Sequence, residues 1–153
     1  MSTMEIVTTV PHHTAVVRDA VPMDALTEFF GRAFSAVYPA VMGQGVQITG
    51  PPFAFYPATP GAVVQVEAGV PVDRAVDAVG EVVPGKLPGG RAIHTMHVGP
   101  YDTLADTYGE LLAWAADEGL NLAEGMWEVY LSDPDTEPDP ATWRTEVFWP
   151  VLD

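Results

Sequence analysis

Two stretches of the chain carry apolar residues every three to four positions. After Pro22, Leu26, Phe29, Phe30, Ala33, Phe34 and Val37 follow this spacing and predict an amphipathic helix. It is expected to end near Tyr38, because Pro39 disfavours helical geometry in the residue before it and Gly43 and Gly45 follow. A second helix is predicted over 102–118, with Leu104, Tyr108, Leu111, Leu112 and Ala115 as its stripe and Gly119 as its C-cap.

The remaining apolar positions alternate or cluster as strands do. Residues 4–19 read as extended and are interrupted at Pro11, as in an edge or bulged strand. Short strands are predicted at 53–56 (FAFY) and 62–68 (AVVQVEA), joined by the turn PATPG. Residues 70–90, rich in Pro and Gly, read as an irregular crossover. Strands follow at 91–98, 126–132 (MWEVYLS) and 144–151 (RTEVFWPV), the last two separated by DPDTEPDPAT, which reads as a solvated loop.

This order contains an internal repeat of strand, helix, strand, strand. Asp24, Leu26, Phe30 and Gly31 match Asp102, Leu104, Tyr108 and Gly109 at an offset of 78, and Tyr56 matches Tyr130 at 74. Glu67, Pro71 and Val72 match Glu146, Pro150 and Val151 at 79. The expected fold is one α+β domain over 1–153 with pseudo-repeats at about 4–72 and 90–153. A pseudo-twofold antiparallel sheet would carry both helices on one face, with a cleft between the halves.

Composition narrows the function. Six basic residues stand against 21 acidic ones, a net charge of −15 that opposes direct nucleic-acid binding. No apolar run reaches the roughly 20 residues of a membrane span, and the opening MSTMEIVTTV lacks the pattern of a signal peptide, so a cytoplasmic location is expected. Without cysteine there is no disulfide or thiolate site. His12 and His13 point apart in a strand, as do His94 and His97, so neither a metal nor a cofactor is expected.

Within WEVYL, alternation groups Glu128 with Tyr130; within TEVFWP it groups Glu146 with Phe148. If these strands pair with those faces together, two carboxylates and two rings share a surface. A carboxylate among rings is costly to desolvate, and a bound cation would offset that cost while gaining cation–π attraction. The alternative is that the glutamate faces look at water while Val147 and Trp149 pack on the helices. Tyr101, in HVGPYDTL, either projects into a cleft or staples the start of the second helix. Tyr38 is similarly placed at the end of the first, Phe55 adds a ring from FAFY, and Trp114 reads as core. Phosphate-binding glycine motifs and a nucleophile elbow are absent from the sequence.

The segments LPGGRAIHTMHVGPYDTLADTYGELLAWAADEGL, GMWEVYLSDP and TEVFWPV, with GPPFAFYP and VEAGVPV in the first half, resemble the GyrI-like small-molecule-binding domain. The same domain forms the effector-binding part of AraC-type and MerR-type transcription activators. The resemblance implies a duplicated, SHS2-like strand-helix-strand-strand fold with a groove for aromatic and cationic compounds around an acidic residue. It implies that Glu146 is the glutamate of the terminal TExxxPV motif and Glu128 a second acidic position. Phe148 stands where multidrug-binding relatives can carry tyrosine. No residues remain for a helix-turn-helix, so DNA binding would need a partner.

Three functions follow as expectations. The first is a stand-alone binder of aromatic or cationic xenobiotics or metabolites, with Glu146 at its centre and Glu128, Phe148, Tyr130, Tyr101, Phe55 and Tyr38 around it. The second is a hydrolase of cyclopropane-containing electrophiles, with Glu146 or Glu128 as general base and a tyrosine such as Tyr130 or Tyr101 as proton donor. The third is an acidic interaction module for a protein partner such as gyrase.

Overall fold

The computed structural model describes residues 3–58, 61–132 and 137–152. Parts of the expected PATPG turn and acidic loop, residues 59–60 and 133–136, lie outside them, whereas residues 137–142 of that loop are exposed. The described residues form nine strands: β1 (Glu5–Thr9), β2 (His12–Pro22), β3 (Phe53–Tyr56), β4 (Val63–Val72), β5 (Val82–Leu87), β6 (Gly90–Val98), β7 (Asn121–Leu122), β8 (Met126–Tyr130) and β9 (Arg144–Leu152). The helices are α1 (Leu26–Gly43) and α2 (Leu104–Asp117), each entered through one short 3-10 turn.

All pairings are antiparallel, in the order β1-β6-β9-β8-β3-β4-β2-β5, with the short β7 also on β9. Read outward from the β3–β8 seam, one half runs β3-β4-β2-β5 and the other β8-β9-β6-β1. These halves are related by a pseudo-twofold axis through the seam. The interruption at Pro11 therefore separates two strands that part company: β1 goes to the edge of the second half and β2 into the first.

Both helices cover the same sheet face. Phe29, Ala33, Val37 and Val41 of α1 pack on Val17, Ala54 and Ala68, whereas Leu111 and Ala115 of α2 pack on Ile93 and Val147. Fully burying one such aliphatic side chain is worth about 1.5–3 kcal/mol, so these two stripes hold the helices down. Leu112, expected in the α2 stripe, is instead 46% exposed. No helix among the described residues is long and apolar enough to cross a membrane.

Two boundaries differ from expectation. Helix α1 does not stop at Tyr38 but continues through Pro39 to Gly43. Pro39 and Ser35 lie on the exposed side, where a carbonyl that loses its helical partner is open to solvent, while Val41 keeps the buried stripe going beyond the proline. The 70–90 segment is not wholly irregular either: β4 extends to Val72, and Val82–Leu87 forms β5 along β2. Its Pro84 is tolerated because β5 is an edge strand.

Candidate functional site

On the helix-covered face one row of cross-strand neighbours reads Val17, Ala68, Ala54, Glu128, Val147, Thr95. Glu128 is the sole charge in this row, and it sits beside the pseudo-twofold axis with Ala54 as its partner across the seam. Only 6% of its surface is exposed.

Above it, between α1 and the start of α2, opens a cavity of about 880 Å³. Its rings come from α1 (Phe30, Phe34, Tyr38), β3 (Tyr56), β8 (Tyr130) and the turn into α2 (Tyr101). Phe30 meets Tyr130 edge-on at 6.2 Å, and Tyr101 meets Tyr130 at 5.9 Å while leaning on Trp143 at 5.0 Å. None of the described lining residues carries a positive charge.

Glu128 is held by phenols. Tyr130 donates to Oε1 at 2.8 Å, and Tyr108, from α2, donates to Oε2. Burial pushes the carboxyl above the ordinary carboxylate range; the bonds from Tyr108 and Tyr130, and the nearby His97, pull it part of the way back. Burial, then the adjacent Glu128 charge, also holds the Tyr56, Tyr108 and Tyr130 phenols far above their usual range. They act as hydrogen-bond donors, not as phenolates.

The turn carrying Tyr101 is anchored from below. His97 is buried; its Nε2 lies 3.0 Å from the Pro100 carbonyl, and its Nδ1 lies within hydrogen-bond distance of the Thr107 hydroxyl of α2, at 2.6 Å. Gly99 supplies the φ of +135° that the turn requires. The HVGPY segment thus ties β6 to α2 and sets Tyr101 at the cavity mouth.

Register decides which predicted residues meet. Trp127 opposes Phe148 and Val129 opposes Glu146, so Glu146 and Phe148 lie on the face opposite Glu128 and Tyr130. Alternation within each strand is as expected, but the shared surface of two carboxylates is not formed. Tyr38, Tyr101, Glu128 and Tyr130 come together in the cavity; Phe55, Glu146 and Phe148 do not. Phe55 instead packs beside Trp127 behind the sheet, centroids 6.3 Å apart.

Sequence reasoning missed Tyr56, Phe30, Phe34 and Tyr108. The repeat carried the signal, since it equates Tyr56 with Tyr130 and Phe30 with Tyr108. Among the described residues no three His, Cys, Asp or Glu side chains gather as a metal-ligand set.

A buried carboxylate under a ring-lined cleft, at the junction of two sheet halves, is the build of a small-molecule-binding domain. The chain belongs to the GyrI-like small molecule binding domain family, whose profile matches residues 3–152. Among solved structures, the EcmrR C-terminal domain has a TM-score of 0.81 at 23% identity, covering 100% of this chain and 98% of that one. EcmrR in its DNA complex has a TM-score of 0.83 at 23% identity, covering 99% of this chain, which spans 58% of the length of that one. SAV2435 bound to tetraphenylphosphonium reaches 0.72 at 9% identity, covering 98% and 94%, and a hydrolase from Listeria innocua reaches 0.68 at 17%, covering 98% and 92%. No functionally curated protein matches the chain.

Proposed function

We propose that the cavity over Glu128 binds a bulky, ring-bearing organic cation, and that the protein senses or sequesters such compounds. The observation that carries this reading is a buried carboxylate at the floor of an aromatic cavity whose described lining offers no basic side chain. Leaving that charge unpaired is costly, and a cation with apolar flanks would offset the cost while stacking on Phe30, Tyr56 and Tyr130. At about 880 Å³ the space lies toward the upper end of ligand pockets, which span about 300–1,000 Å³. The tetraphenylphosphonium in SAV2435 is a compound of this chemistry held by the same fold.

Calorimetric titration with tetraphenylphosphonium tests the reading. Binding should be lost or weakened at least tenfold in Glu128→Gln, and equal affinity in that variant would overturn it.

A second reading rests on the same carboxylate. Raised by burial, Glu128 is suited to take a proton from a water molecule that attacks an electrophilic carbon such as that of a strained cyclopropane. A neighbouring phenol such as Tyr130 would protonate the departing carbon skeleton. Of the two glutamates expected as base, Glu128 lines the cavity and Glu146 does not. Incubation with a cyclopropane alkylator and mass detection of a water adduct checks this, and turnover equal to that of Glu128→Gln counts against it.

A further inference from the structure

The face of the sheet turned away from the helices carries its own cleft, about 370 Å³. Its floor is Phe53, Trp127, Val129 and Phe148, with Glu146 at the side; the chain passing from β1 into β2 forms one wall through Thr8, Thr9, Val10 and His12. Trp127 and Phe148 stack there, 5.2 Å apart and 16° from parallel.

The pseudo-twofold relation indicates what this cleft lacks. In the first half Glu67 faces Arg18 across β4 and β2, and the two form a salt bridge at 3.4 Å. Glu146 is the counterpart of Glu67, and in the second half its partner across β9 and β6 is Met96. The guanidinium of one half thus has no arginine in its place in the other. His94 approaches Glu146 with Nε2 at 3.5 Å, but its Nδ1 is 3.0 Å from Glu5. One imidazole between two carboxylates leaves at least one negative charge, even when the ring is protonated.

We propose that this cleft is a second ligand site, distinct from the cavity over Glu128, and that it takes a compact amidinium or guanidinium compound carrying one ring. The planar cation would pair with Glu146 as Arg18 pairs with Glu67, and its ring would lie against the Trp127–Phe148 stack. The volume sits near the lower end of the range of about 300–1,000 Å³ for ligand pockets, which selects a single ring over the bulkier cations suited to the front cavity.

Benzamidine is the probe, with neutral benzamide as its isosteric control, in titrations followed by backbone amide NMR and tryptophan fluorescence. Saturable shifts should centre on Trp127, Val129 and Phe148, with benzamide inert. Glu146→Gln should weaken benzamidine at least tenfold. Met96→Arg, which restores the missing guanidinium without removing the carboxylate, should block it to a similar degree. Glu128→Gln should leave the affinity within twofold, so this result stands apart from that of the front cavity. The proposal is overturned if Glu146→Gln and Met96→Arg both bind benzamidine within twofold of the parent, if benzamide binds equally, or if the shifts fall only on Phe30, Tyr56 and Tyr130.

Discussion

Ala54 and Glu128 face each other across the β3–β8 seam, where the two halves of the sheet meet. Each is the other's counterpart under the pseudo-twofold axis, so duplication placed a methyl group where a second carboxylate would have repelled the first.

Enlarging that methyl group should crowd Glu128 across the seam and displace its carboxyl from the base of the cavity. Ala54→Leu is expected to weaken tetraphenylphosphonium at least tenfold and, because the position is fully buried, to cost about 1–3 kcal/mol of stability by overpacking. Calorimetric titration and urea unfolding measure the two effects separately.

The phenol of Tyr108 is a designated partner of Glu128, whereas its counterpart Phe30 has no hydroxyl. Tyr108→Phe removes a bond that favours the ionised carboxylate, so the Glu128 carboxyl should titrate still higher. Loss of one buried charge-assisted bond should cost about 1–3 kcal/mol. Carboxyl carbon NMR follows the titration, and urea midpoints follow the stability.

Stability should depend on pH through Glu128 in a definite direction. Its folded pKa lies above the unfolded one, so folding binds a proton between the two, and the contribution of this residue is most favourable below the ordinary carboxylate range. It declines as pH rises through the raised folded value. The urea midpoint of the parent relative to Glu128→Gln should therefore fall from acid to neutral pH. Affinity for a cation in the front cavity should rise over the same window, because binding there needs the ionised form.

How far the site could be read from sequence turned on register. The helices, the repeat and the alternation in β8 and β9 all follow from local spacing, and each survives in the fold. Whether Glu128 and Glu146 share a face depends on the parity of the pairing between two strands, which the polar loop from Tyr130 to Arg144 does not determine. Phe55 and Tyr56 differ in the same way: adjacent in sequence, they lie on opposite faces, and only the match of Tyr56 to Tyr130 distinguishes them. Pro39 and Pro84 misled for another reason. Each breaks a rule for regular structure, and each is accommodated on an exposed side or edge, which is a tertiary property.

Pro39 is also a place where the fold carries a removable cost. A proline within a helix forfeits one backbone hydrogen bond and crowds the preceding turn, at about 3 kcal/mol in a regular helix. Pro39→Ala should stabilise the protein by about 1–3 kcal/mol, checked by urea unfolding, because the exposed site makes no demand on the ring.

The crossing of the chain at Pro11 has a consequence for how the molecule is assembled. Glu5 of β1 meets His94 of β6 across 89 residues of sequence, while β2 pairs within its own half. During synthesis the first half can close around α1 while β1 still waits for a strand that has not left the ribosome. The second half, and the rear wall beside Glu146, is completed only when that long loop shuts, so the contacts of highest sequence separation form last.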